Sequence, residues 1–151
     1  MHSHSDRDQA WASIEIEARP EQVFHYLRQP AHHAEISGDQ SVKAAIFGPT
    51  ELSNGDRFGM SMKMFGVRYK MTSRVVEFEL NHNIAWAHFG GHRWRYTIRE
   101  LPSGHSLVTE TFDLSTSKAP WALRLAGFPK RHEGNITASL ENLKRLVEAE
   151  A

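Results

Sequence analysis

In Val108-Thr109-Glu110-Thr111-Phe112, apolar and polar residues alternate as in a half-buried strand, and Glu110 falls on the apolar parity with Val108 and Phe112. A carboxyl in apolar surroundings has a raised pKa unless it is paired, so it can give or take a proton near neutrality. That suits a general acid/base for aldol cyclisation or dehydration, or a hydrogen-bonding anchor for a hydroxylated ligand. A third reading is a buried carboxyl bonded to Tyr96, His88 or His92 that does no chemistry. His88 and His92 flank Gly90-Gly91 and could join Glu110 at the polar end of an apolar pocket. Two histidines and a glutamate could also hold a metal, but the spacing fixes no such geometry, and no metal site is assigned. His2 and His4 fall on a polar start. His32 and His33 are adjacent on a short helix, diverge by about 100° and make a poor chelate. Both pairs are expected at the surface.

A second chemical signal is Phe58 to Met71, "FGMSMKMFGVRYKM". A two-residue turn at Phe65-Gly66 pairs Met64 with Val67, Met62 with Tyr69 and Met60 with Met71. Gly59, Ser61, Lys63, Arg68, Lys70 and Thr72 then share the opposite, wet face. A slip of one residue would destroy that sorting. Met60, Met62, Met64 and Met71 could form a flexible, polarizable wall for an apolar guest, or could fill a core.

The aromatic residues follow the same logic. A Phe89-Gly90-Gly91 turn, with Gly91 at positive φ, sets Trp86 opposite Trp94 and Ile84 opposite Tyr96. It points His88 and His92 the same way as the tryptophans, whereas a two-residue Gly90-Gly91 turn would send Trp86 and His88 outward. A turn at Pro102 to Gly104 pairs Ile98 with Val108, Tyr96 with Glu110 and Trp94 with Phe112. These rings could stack on a planar guest or simply pack between sheet and helix. Arg93, Arg95 and Arg99, with Arg68, Lys70 and Arg74, form a basic outer face that alternation already explains.

Other elements must hold these hairpins. Trp11 to Ala18 alternates as a first strand. Pro20 suits the first turn of a helix that ends before Pro30, and a second short helix is stopped by Gly38. Ser41 to Phe47 is the next strand. After a break at Gly127-Phe128-Pro129, Ile136, Leu140, Leu143 and Val147 form one stripe of a long helix starting at Lys130 or Arg131. A sheet with one apolar face needs a cover, and this helix is long enough to provide it. The break could hinge a lid over a cavity. Phe128 and Leu140, with Tyr69, complete the set expected to face a ligand.

The chain has 151 residues and reads as one domain over residues 11–149, after a flexible polar start at 1–10. It contains no cysteine, which removes disulfides, thiolate metal sites and cysteine nucleophiles. Lysine plus arginine equals aspartate plus glutamate at 18 each, so net charge signals neither nucleic acid nor anionic membrane. The start lacks a signal-like apolar core, and no apolar run approaches the roughly 20 residues that span a bilayer. A soluble, cytoplasmic protein without integral membrane contact is expected. An exposed sheet edge and the region from Trp121 to Phe128 could support a homodimer.

Together "IEIEARPEQVFHYLRQPAHHAEIS", "GDRFGM…VVEFELNHNIAWAHF", "WRYTIRELPSGHSLVTETFD" and the final helix resemble the START-like SRPBCC superfamily, in its polyketide cyclase/dehydrase branch. The resemblance spans roughly residues 11–148. It implies an α+β helix-grip fold: a seven-stranded antiparallel sheet wrapped on a long C-terminal helix, with two short helices after the first strand and a hydrophobic cavity inside. The superfamily includes polyketide cyclases, lipid and coenzyme Q carriers, plant hormone binders and dioxygenase subunits. The metal and iron–sulfur motifs of the dioxygenases are absent, and no cofactor is expected. No catalytic motif carries over residue by residue. The expectation is a binder of a lipid, isoprenoid or polyketide-like molecule. The alternatives are a cyclase/dehydratase using Glu110, or an interaction role of the kind some relatives play on ribosomes.

Overall fold

Alternating strands and tight turns build one antiparallel sheet, and the helix with an apolar stripe closes its inner face. The computed structural model describes residues 1–5, 8–88, 90–115 and 128–150. Its elements are β1 (His2–Ser5), β2 (Gln9–Ile16), α1 (Pro20–Leu27), a 3-10 turn (Pro30–His32) and α2 (His33–Ile36). They continue with β3 (Val42–Phe47), β4 (Arg57–Met64), β5 (Val67–Glu79), β6 (Asn83–Ala87), β7 (Arg93–Glu100), β8 (Ser106–Asp113) and α3 (Phe128–Glu150). The sheet order is β1-β2-β8-β7-β6-β5-β4-β3, antiparallel at each pairing. This is the α+β helix-grip arrangement, with one more strand than the sequence implied.

That extra strand is the polar start. Residues expected to be flexible instead pair His2–Ser5 with Ser13–Ala10. Backbone groups carry an edge strand, so His-Ser-His-Ser can form one without any apolar pattern, and polar side chains there discourage further pairing. The His4 ring lies 6.1 Å from that of Trp11.

The hairpin registers follow the expected pairings. Met60 faces Met71, Met62 faces Tyr69 and Met64 faces Val67. Trp86 faces Trp94 and Ile84 faces Tyr96, while Tyr96 faces Glu110 and Trp94 faces Phe112. Gly91 has φ of 84°, as the β6–β7 turn requires; Phe89 lies outside the described residues. A bulge between Val75 and Glu77 turns Glu77 to the outer face. There its carboxylate accepts from Arg93 Nη1 at 2.7 Å and from Arg95 Nε at 2.9 Å. Arg95 also reaches Asp113, so this part of the basic face is neutralised.

The helix α3 begins at Phe128, ahead of the expected Lys130, and the remainder of the hinge and lid segment lies outside the described residues, as does most of the candidate dimer surface from Trp121 to Phe128. Ile136, Leu140 and Leu143 are fully buried and Val147 nearly so. Gly38 does more than stop a helix. A Cβ there would sit 2.2 Å from the Asn135 backbone oxygen, and the Gly38 N–H donates to Ser139 Oγ at 2.9 Å. The missing side chain lets α3 seat against the α2–β3 loop.

Candidate ligand-binding site

A cavity of about 130 Å³ lies between the inner face of the sheet and the helices. Met60 and Met62 from β4, Met71 from β5, Trp86 from β6 and Trp94 and Tyr96 from β7 form its sheet wall. His88 and Glu110 also face it, and Asn135 and Ser139 face it from α3.

Other members of the expected set fall elsewhere. Met64 has the right parity but sits 36% exposed at the hairpin end, where the sheet outruns its cover. Tyr69 is partly buried against the core. Phe112 and Leu140 are core residues, 1% and 0% exposed, and do not line the cavity. His92 packs edge-on against His88 at 5.4 Å and beside Phe112 at 5.4 Å, behind the lining. The side chain of Phe128 lies outside the described residues.

The histidine on the cavity that alternation did not mark is His33. Expected at the surface, it is 8% exposed. Its ring stacks on Trp86 at 4.8 Å, and its Nε2–H donates to the Leu27 carbonyl at 2.9 Å. That bond closes the turn between α1 and α2 and swings the ring inward; two short helices in sequence give no periodicity that foretells it. Phe58 stands edge-on to both His33 and Trp86. Ser37, Asp39 and Ser41 form a polar stretch of the lining.

Burial sets the charge state of the site. Glu110 is 2% exposed, and desolvation pushes its pKa up to about 8, against the opposing pull of a hydrogen bond from Tyr96. Burial and the neighbouring Glu110 raise the Tyr96 phenol well above its ordinary value. Burial lowers His33 to about 4, with the bond to Leu27 opposing it. Burial and neighbouring His92 lower His88 to about 4, while its Nδ1 lies 2.7 Å from Ser73 Oγ. At pH 7 these four groups are predominantly neutral. Two buried polar atoms on the lining, Glu110 Oε1 and Asn135 Oδ1, have no hydrogen-bond partner among the described residues. His92 Nδ1 is also without one. Among the described residues no group of three or more His, Asp or Glu is arranged to hold a metal, so His88, His92 and Glu110 do not converge as ligands.

Known proteins match this architecture. An uncharacterized Mycobacterium tuberculosis protein, Rv0088, is 34% identical over 135 residues, covering 87% of this chain. The chain spans 60% of that relative's length. The crystal structure of Ms6760 from Mycobacterium smegmatis superposes with a TM-score of 0.72 at 13% identity, covering 100% of this chain and 99% of that one. At that identity the likeness shows the fold alone. An AHSA1-like protein from Aeromonas hydrophila is 27% identical with a TM-score of 0.59, covering 93% of each chain. The family described as polyketide cyclase / dehydrase and lipid transport matches residues 9–148. Across nearly its whole length, in sequence pattern and helix-grip fold alike, the chain belongs to that polyketide cyclase/dehydrase and lipid transport family.

Proposed function

We propose that the protein binds an uncharged, mostly apolar small molecule, of lipid, isoprenoid or polyketide-like character, in the cavity between sheet and α3. The observation that carries this is the pair of unpartnered atoms, Glu110 Oε1 and Asn135 Oδ1, on a wall otherwise rich in methionine and tryptophan. Buried polar groups almost always find a partner. A protonated carboxyl offers a donor and an amide oxygen an acceptor, so a carbonyl and a hydroxyl on an apolar body would satisfy both. The four neutral groups offer a charged ligand no countercharge, and the Asp39 carboxylate on the polar stretch of the lining already accepts from Ser37 and Ser41.

Size narrows the guest. A cavity of roughly 150 Å³ holds a single benzene ring, so a cavity of about 130 Å³ accepts one ring or the polar end of a longer molecule. Met60, Met62 and Met71 are the wall residues that can rearrange for more.

A second reading is catalysis with Glu110 as general acid, which its pKa of about 8 favours. Aldol cyclisation also requires a base that removes a carbon-bound proton. Tyr96 stays protonated, and histidines with pKa near 4 are feeble bases. Binding is therefore the better-supported role.

Native mass spectrometry of gently purified protein, followed by solvent extraction and identification of the extract, tests the reading. A stoichiometric neutral adduct supports it. A bare mass, together with no thermal shift from neutral ring compounds or lipids, sinks it. Glu110→Gln keeps hydrogen-bonding capacity, so ligand binding should survive in a carrier, whereas an enzyme would lose turnover.

A further inference from the structure

The end of the β4–β5 hairpin is built against its own stability. Phe65 and Gly66 occupy the two turn positions with φ of 51° and 78°. Such a turn favours Asn, Asp or Gly first, because a bulky side chain at positive φ crowds the backbone. Phe65 is also 94% exposed, and Met64 and Val67 beside it are 36% and 64% exposed. Directly behind them Lys63 stands opposite Arg68, and Lys70 opposite Ser61. Like charges facing each other across strands weaken the pairing. Among the described residues none of these three cations forms an ion pair. Asp39, whose charge reaches Tyr69, accepts hydrogen bonds from Ser37 and Ser41. The chain has no net charge, so this cluster is a local concentration that total composition conceals.

We infer that this hairpin tip docks on an anionic lipid surface. Phe65, Met64 and Val67 enter the boundary between headgroups and acyl chains, while Lys63, Arg68 and Lys70 meet the headgroup phosphates. A protruding apolar tip backed by cations matches a partner that is anionic outside and yielding and apolar within. A second copy of this chain would set like-charged hairpins against each other. A nucleic acid would answer the cations but leave Met64 and Val67 in water. This surface is separate from the cavity and does not require that the cavity hold a ligand.

Co-sedimentation of the full chain with vesicles of phosphatidylcholine, with and without phosphatidylglycerol, tests the inference. The protein should pellet with the anionic vesicles, less so at high salt, and stay in solution with neutral ones. Phe65→Asn, which suits the positive φ and keeps the turn, should weaken vesicle binding about tenfold or more, the loss expected when one aromatic ring is no longer buried. Lys63→Glu with Arg68→Glu should abolish it. Three results would overturn the inference. One is a protein that ignores anionic vesicles, whether it binds homopolymer RNA or forms a Phe65-dependent dimer instead. The second is Phe65→Asn binding as well as wild type, which would mean adsorption by charge alone. The third is binding that does not depend on phosphatidylglycerol.

Discussion

Glu110 and Tyr96 face each other as direct cross-strand partners on β8 and β7; burial and Glu110 hold the Tyr96 proton, while burial holds that of Glu110 against the pull of the Tyr96 hydrogen bond. Phenol and carboxyl are 5% and 2% exposed. Among the described residues neither has a cation to stabilise its charged form, so loss of a proton from either would place an uncompensated charge in the core. The pair thus gives the cavity a proton donor without giving it a charge.

Stability should therefore peak near pH 6.5. Folded Glu110 keeps its proton to about pH 8, while the unfolded chain releases it near 4.5. Across that interval the folded state holds the extra proton, so stability falls as pH rises. His33 and His88 run the other way: they lose their protons near pH 4 when folded and near 6.5 when unfolded. Two histidines outweigh one glutamate up to pH 6.5, giving a net rise; beyond it Glu110 alone imposes a decline to pH 8. Thermal unfolding followed by circular dichroism should show this dome. Glu110→Gln should remove the decline, with about 2–4 °C of melting temperature regained per kcal/mol. Parallel wild-type and variant profiles above pH 6.5 would sink the assignment.

The methionines should separate by position. Truncating Met60, 4% exposed on the cavity wall, should destabilise by about 2 kcal/mol or more, and Leu140→Ala in the core by about 2–5 kcal/mol. Met64→Ala should cost less, about 1 kcal/mol or below, because its side chain is 36% exposed and has less burial to lose. Urea denaturation with an unchanged slope would read these differences directly. A Met64→Ala loss equal to that of Met60→Ala would contradict the exposed placement of the hairpin end.

The same methionines show how far sequence reasoning reaches. Alternation put Met60, Met62, Met64 and Met71 on one face, because in a pleated strand parity decides the face. It could not show that the hairpin extends past its cover at Met64, since the reach of a cover depends on long-range packing. Registers in which one turn sorts both strands cleanly were legible, as with Met62 and Tyr69, while Trp86 opposite Trp94 depended on which of two glycine turns formed. Those with bulges were not, and Glu77 reached Arg93 and Arg95 only because a bulge shifted it. His33 entered the cavity through one hydrogen bond to Leu27, a contact with no periodicity, and β1 formed from residues with no apolar pattern at all.

Gly38→Ala should damage both fold and site. Its Cβ would meet the Asn135 backbone oxygen at 2.2 Å and the Ser139 backbone nitrogen at 2.8 Å, neither of which can swing aside as a side-chain tip would. Asn135 and Ser139 line the cavity, so relief of the clash must move that wall. A loss of about 1–3 kcal/mol is expected, the usual cost of overpacking. The contrasting case is Gly59→Ala. There the clash is with the half-exposed ring of Phe47, which can turn away, so the loss should be the smaller of the two. Equal losses in chemical denaturation would show that the α3 contact at Gly38 is less rigid than its geometry implies.

Phe65→Asn should make the protein more stable, and that gain is informative apart from any partner. Asparagine tolerates φ of 51° where phenylalanine is crowded, and the phenylalanine ring, 94% exposed, forfeits almost no burial when removed. A gain of about 0.5–1 kcal/mol is expected, as when a residue is matched to its backbone conformation. A residue whose replacement stabilises the fold is not held in place by folding, so a stabilised Phe65→Asn that also loses vesicle binding would mean the ring is kept for what it touches. Should the substitution destabilise instead, Phe65 must pack on its own strands in solution, and the exposed tip would lose its standing as a docking element.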